Sequence, residues 1–106
     1  PMLGQHHQFH HYNPGKSDFG ENRYFKISER IYNELDERLS QSKFLAGEDY
    51  TIADIATFPW IARHEWHDIG LKKFKSLTRW YEEISKREAV QIGYDLLNNG
   101  DQIPKV

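Results

Sequence analysis

Tyr50-Thr51-Ile52-Ala53-Asp54-Ile55-Ala56-Thr57-Phe58-Pro59-Trp60 is the stretch whose reading decides how this chain folds. Thr51 suits the N-cap of a helix. Its hydroxyl can accept from the backbone N–H of Asp54, three residues on, while the Asp54 carboxylate reaches back to the N–H of Thr51. The pair forms a capping box with Asp in place of the usual Glu or Gln. Tyr50 just before the cap and Ile55 at the fourth helical position have the spacing of a hydrophobic staple, which sets the angle of chain entry. Pro59 removes one bond of the ladder and is expected to kink this helix after its first two turns. Asp54 can also be read as a catalytic carboxylate. No second acid or base stands at a matching spacing, and capping already uses both side chains, so the structural role is preferred.

Outward from this helix the apolar positions keep a helical spacing, and no stretch alternates over the length of a strand. The chain is therefore predicted to be all-α, a bundle of five or six helices with the Thr51-led helix central. Ile55, Trp60 and Trp80 are expected to face the core. Residues 21–42 place Tyr24, Ile27, Ile31, Leu35 and Leu39 on one stripe, with Glu29, Arg30, Glu34, Glu37 and Arg38 mostly outside it. That is a long amphipathic helix, for which Ser17 and Asp18 are available as caps. Residues 2–12 form a His-rich helix that stops at Asn13-Pro14-Gly15, and its abrupt apolar start reads as a helix cut partway along. Downstream, residues 70–75 make a basic connector with room for one turn, and residues 76–87 a helix carrying Leu77, Trp80, Tyr81 and Ile84. A final helix from about Glu88 carries Val90, Ile92, Gly93, Leu96 and Leu97 and ends at Asn98-Asn99-Gly100. The expected organisation is one helical domain over residues 1–100 and a flexible tail over 101–106.

A length of 106 residues fits one domain with a modest core. With 14 basic and 16 acidic residues, there is no electrostatic case for a nucleic acid or an anionic membrane as partner. The absence of Cys removes disulfides, thiolate zinc sites and a cysteine nucleophile. No apolar run approaches a bilayer span. Pro1-Met2-Leu3-Gly4-Gln5 lacks the basic flank and apolar centre of a signal peptide, so a cytoplasmic setting is expected.

Histidine pairs four apart, His6 with His10 and His7 with His11, could each face a metal from one helix. No third ligand stands at matched spacing, so no metal site is assigned. The histidines of His64-Glu65-Trp66-His67 are three apart and fail the zinc-peptidase spacing. Lys72-Lys73-x-Lys75 reads as a solvated turn in a chain of net charge −2.

Phe44-Leu45-Ala46-Gly47, then Tyr50-Thr51-Ile52-Ala53-Asp54-Ile55-Ala56 and Pro59-Trp60, resembles the signature of glutathione transferase C-terminal domains. The opening Pro1-Met2-Leu3-Gly4-Gln5-x-His7-x-Phe9 and the pair Arg23-Tyr24 narrow the likeness to a nu-class-like branch. That branch joins a yeast prion protein with bacterial glutathione-dependent disulfide-bond oxidoreductases. Leu77-x-x-Trp80 and Ile84-x-x-Arg87-x-Ala89-Val90 extend the resemblance over nearly the whole chain. Thr51 stands where the family more often has Ser. Glu88 stands where it usually has Pro, which would let the last two helices run together.

The resemblance implies that glutathione, as substrate, binds mainly to an N-terminal thioredoxin-like domain that also supplies the thiolate-stabilising residue. Nothing in this chain resembles that domain, so no catalytic residue is assigned and the chain alone is expected to be inactive. Its expected contribution is the second wall of a glutathione and co-substrate cleft and part of a homodimer interface. The parent protein would conjugate small electrophiles or reduce disulfides. Arg23 corresponds to a position that lines the glutathione pocket, where a guanidinium can clamp a carboxylate; the alternative is a surface Arg paired with Glu21 or Glu29. Phe9, Tyr12 and Trp66 either line a co-substrate pocket or belong to the core. The alternative reading of the whole is a non-catalytic protein-interaction module of the same fold.

Replacing Asp54 by Ala is expected to lower stability by about 1–3 kcal/mol through a lost cap and an unpaired donor. A denaturation midpoint unmoved by Asp54→Ala would show that the box is not formed.

Overall fold

The computed structural model describes residues 1–95 and 102–106. Six α-helices follow in order: α1 (Met2–His6), α2 (Asp18–Gln41), α3 (Ile52–Ile61), α4 (His64–His67), α5 (Lys75–Ser85) and α6 (Glu88–Tyr94). α1 runs directly into a π-helical stretch, His7–Tyr12, and a 3-10 turn, Leu71–Lys73, precedes α5. No strand occurs among the described residues, so the all-α architecture expected from the spacing is the one adopted. Leu96, Leu97 and the Asn98-Asn99-Gly100 stop lie outside the described residues.

α2 starts where Ser17, in extended backbone, accepts the Gly20 N–H on its hydroxyl at 3.1 Å. Asp18 and Glu21 in its first turn complement the helix dipole. α5 has no side-chain cap of its own. Instead Asp36 of α2 accepts the Leu77 N–H at 2.9 Å, and Arg79 of α5 donates to Leu39 O at 2.9 Å and to Lys43 O at 3.3 Å. Each helix thus satisfies orphan groups at the end of the other. Leu77, Trp80, Tyr81 and Ile84 of α5 are all buried, as its spacing predicted. The stripe on α2 is displaced by about one position from the one read in sequence. Ser28, Tyr32 and Leu39 are buried, while Tyr24, Ile27, Ile31 and Leu35 lie half-buried on the flank. A hydroxyl at position 28 and a phenol at position 32 hide this face from an apolar count.

Asp54 is fully buried and joins three parts of the chain. Its Oδ2 accepts the Thr51 N–H at 3.0 Å, closing the capping box. Its Oδ1 accepts the Leu45 N–H at 3.1 Å and the Trp80 Nε1–H at 2.8 Å. The Leu45 contact holds a tight turn in which Phe44 and Gly47 exchange backbone bonds of 2.8 and 3.3 Å. Gly47 sits at φ 145°, a backbone conformation that side chains resist.

These anchors turn Asp54, Phe58 and Ile61 inward. The expectation that Ile55 and Trp60 face the core is corrected: they are 53% and 44% exposed, and Ile52 is 81% exposed. Both belong to the opposite side of a helix whose rotation is set by a polar residue. Tyr50 is covered by Phe44, 5.8 Å away between ring centres, and by the Arg87 guanidinium at 3.8 Å, with Ile55 left largely in solvent.

The last two helices do not run together despite Glu88. Arg87 between them is extended, at φ −68° and ψ 129°, and this break lets its guanidinium reach Tyr50. Of the tail expected over 101–106, residues 102–106 are described: Ile103 and Val106 lie against the core, and the Tyr81 hydroxyl donates to Pro104 O.

Trp80→Phe is expected to cost about 2–4 kcal/mol, from the lost indole donor and the smaller ring. In a double-mutant cycle with Asp54→Ala the two losses should couple by at least about 0.5 kcal/mol. Additive losses would show that the contact contributes nothing.

Candidate functional site

The residues singled out in sequence fall into two groups on the structure. Arg23 lies on the exposed side of α2, its guanidinium 5.9 Å from the centre of the Tyr24 ring. Glu21, one alternative partner, reaches His10 instead, with Oε2 3.5 Å from Nδ1. Among the described residues Arg23 makes no ion pair or hydrogen bond, so its five donors face solvent. Beside it, Tyr24 stacks on Phe9 at 5.5 Å with planes 10° apart. Phe9 also lies over Gly20, where a Cβ would come within 2.8 Å of its ring, so this ledge needs glycine there.

The second group centres on Trp66. Tyr12 meets it edge-on at 5.5 Å, His11 stacks on it at 3.9 Å, and the Arg63 guanidinium lies 4.6 Å from its ring centre. The structure thus brings Tyr12 and Trp66 together, while Phe9 packs with Tyr24 near Arg23. Tyr12 is 59% exposed, and Trp66 is half-buried, so this cluster belongs to the surface rather than the core.

Between the groups lies a knot that sequence reasoning missed. His67 is fully buried, with its Nδ1 2.5 Å from the Tyr32 hydroxyl and its Nε2 2.7 Å from His7 Nε2. Its carbonyl accepts from His6 Nε2 at 2.6 Å. Burial, then the neighbouring histidines His7, His6 and His64, push the His67 imidazole down to about 3. Burial likewise pushes Tyr32 up. The partners stand 35, 60 and 61 residues from His67, and no local spacing announces them. The paired histidines noticed on the first helix are therefore engaged across the fold. Among the described residues no group of three or more His, Cys, Asp or Glu is arranged to hold a metal ion.

Chemically, this surface offers the Arg23 guanidinium, without an acid partner among the described residues, and two aromatic ledges. That set can bind an anion beside an apolar group, and it holds no activated nucleophile. Asp54 has all its contacts in structural bonds. A cleft of about 730 Å³ lies elsewhere, between α5, α6 and residues 102–106.

The family described as glutathione S-transferase, C-terminal domain, matches residues 22–88. Disulfide-bond oxidoreductase YfcG of Escherichia coli K12 is 39% identical over 89 residues, which are 84% of this chain and 41% of that protein. Disulfide-bond oxidoreductase YghU of the same organism is 37% identical over 94 residues, 80% of this chain and 32% of that protein. In three dimensions the chain is similar to a glutathione transferase from Burkholderia graminis solved with two glutathione molecules bound per subunit. The TM-score is 0.84 at 31% identity, over 94% of this chain and 45% of that one. The chain spans less than half the length of each of these relatives.

Because Arg23 holds nothing within the described fold, Arg23→Ala should change stability by less than about 0.5 kcal/mol. A clear drop in the denaturation midpoint would mean that the guanidinium is a structural partner.

Proposed function

Since the chain belongs to the glutathione S-transferase C-terminal domain family, we propose that it forms the second wall of a glutathione cleft. The other wall is a thioredoxin-like domain of a longer parent protein. That parent uses glutathione as substrate, either to attack a small electrophile or to reduce a disulfide. The uncommitted Arg23 guanidinium carries this reading. Glutathione bears two carboxylates, and a fork of N–H donors with no acceptor of its own can clamp one of them. Phe9 and Tyr24 beside it, and Tyr12 with Trp66, supply apolar surface for the co-substrate. The similarity to the disulfide-bond oxidoreductases YfcG and YghU, and to the glutathione-bound Burkholderia graminis protein, supports the same chemistry.

The outward face of α3 supports the presence of a second domain. Ile52, Ile55 and Trp60 are exposed there, and Trp60 borders α1, where a Cβ on Gly4 would meet its ring at 3.6 Å. A contiguous apolar surface of this kind is normally covered. We assign it to the thioredoxin-like domain, and part of the remaining surface to a homodimer interface. A cytoplasmic setting without nucleic-acid or membrane partners goes with this substrate. The same apolar face would serve a non-catalytic interaction module; the free Arg23, which such a module does not need, favours the glutathione reading.

One exposed charge-assisted contact contributes about 1 kcal/mol, far short of micromolar affinity. The chain alone is therefore expected to show no tight glutathione binding in calorimetric titration and no conjugating or disulfide-reducing activity. Joined to the part of a relative such as YfcG that it does not span, it should bind glutathione, and Arg23→Ala should weaken that binding about tenfold. Equal affinity with and without Arg23 would sink the assignment. Sedimentation of the chain alone should show self-association through its uncovered apolar surface, and a strict monomer at high concentration would argue against it.

A further inference from the structure

Four of the six histidines fall within the first eleven residues, and two of them, His6 and His7, meet His67 at one buried point. There α1, its π-helical extension, α2 and α4 converge. Proton counting at this point is restrictive. A 2.7 Å separation between His7 Nε2 and His67 Nε2 leaves room for one hydrogen between them. With both rings neutral, two arrangements work. Either His67 donates to His7 and the Tyr32 hydroxyl donates to His67 Nδ1, or His7 donates and His67 Nδ1–H donates to the Tyr32 oxygen. Hydrogens on both facing nitrogens would break the contact. His6 must donate from Nε2 to the His67 carbonyl, and its buried Nδ1 has no partner, so a proton there would be a stranded donor.

The surroundings add to the restriction. Arg63 and His11 stand beside His7, His10 beside His6, and His64 near His67. Glu21 and Asp68 pull the other way on the His6 side, but both are shared with His10, at 3.5 and 3.3 Å. Burial prevails, and His6 and His7 are both held below the ordinary imidazole range.

We propose that this histidine knot is a pH-operated latch: it holds residues 2–12 against α4 and α2 at neutral pH and releases them on acidification while the rest of the bundle stays folded. The sign follows from linkage. A histidine that resists protonation when docked binds a proton more readily once released. Docking is therefore fully favoured above about pH 6.5 and weakens below it, by up to about tenfold per pH unit for each such histidine until its docked form also takes up the proton. The contacts that hold most of the rest are of another kind: the mutual capping of α2 and α5 and the bonds around Asp54 involve no histidine, although buried His64 packs edge-on against Tyr81 of α5 at 5.5 Å. The released segment carries Phe9, His11 and Tyr12, so both aromatic ledges open when it leaves. The latch is independent of what those ledges bind.

Hydrogen exchange read by mass spectrometry on the intact protein at pH 7.5 and pH 5.0, corrected for intrinsic exchange rates, tests this. Protection of the amides of residues 3–12 should fall at least tenfold at the lower pH, while that of residues 78–85 stays within about twofold. Equal protection of residues 3–12 at both values overturns the latch, and so does a parallel loss in α5, which is global acid unfolding. His7→Gln keeps a neutral donor and acceptor that does not titrate, and it should make the loss shallower by about tenfold per pH unit. An unchanged slope overturns the assignment to histidine. His6→Gln serves the same comparison should His7→Gln fail to fold.

Discussion

The Asp54 carboxylate accepts N–H groups from its own helix cap, from the turn at Leu45 and from the indole of Trp80. A carboxylate taken out of water is tolerated only where donors replace its hydration. Here the three donors come from segments that would otherwise have no reason to meet. Satisfying all of them fixes the start of α3, the path of the loop before it and the approach of α5. It also fixes the rotation of α3 about its own axis. Phe58 and Ile61 fall inward because they share the face of Asp54, and Ile52, Ile55 and Trp60 fall outward for the same reason.

Around this point the bundle is tied by polar contacts between helices as well as by apolar burial. Asp36 and Arg79 let α2 and α5 complete each other's ends. His6, His7, Tyr32 and His67 join the first helical segment to α4 and α2. In the histidine tie, neutral imidazoles that share a single hydrogen have no room for a second. The π-helical turn His7–Tyr12, a geometry often found at functional sites, lies in the acid-sensitive part.

The proposed cleft would give the outward apolar face of α3 and the exposed Arg23 a common explanation: a second domain closing over them would cover the one and let the other meet a carboxylate. The relatives, each more than twice as long as the region this chain spans, fit that picture. Under the proposed function, Arg23, the aromatic ledge beside it and the outward apolar face of α3 form one side of that cleft.

The sequence by itself determined the helical class, the capped helix, the stop at Asn13-Pro14-Gly15 and the inward face of α5, because these rest on contacts within a few residues. The four apolar residues of α5 at helical spacing announce their burial, and Thr51 with Asp54 announces the cap. Arg23 was singled out only through resemblance, since no local rule separates a ligand-binding arginine from an ordinary surface one. Only the tertiary structure decided which way α3 turns, because an apolar count favours Ile55 and Trp60 while the bonds of Asp54 to Leu45 and Trp80 outweigh it. It alone broke the chain at Arg87, where the stacking on Tyr50 spans the fold. It alone assembled His6, His7, Tyr32 and His67, since hydrogen bonds between side chains 35 to 61 residues apart leave no periodic trace along the chain.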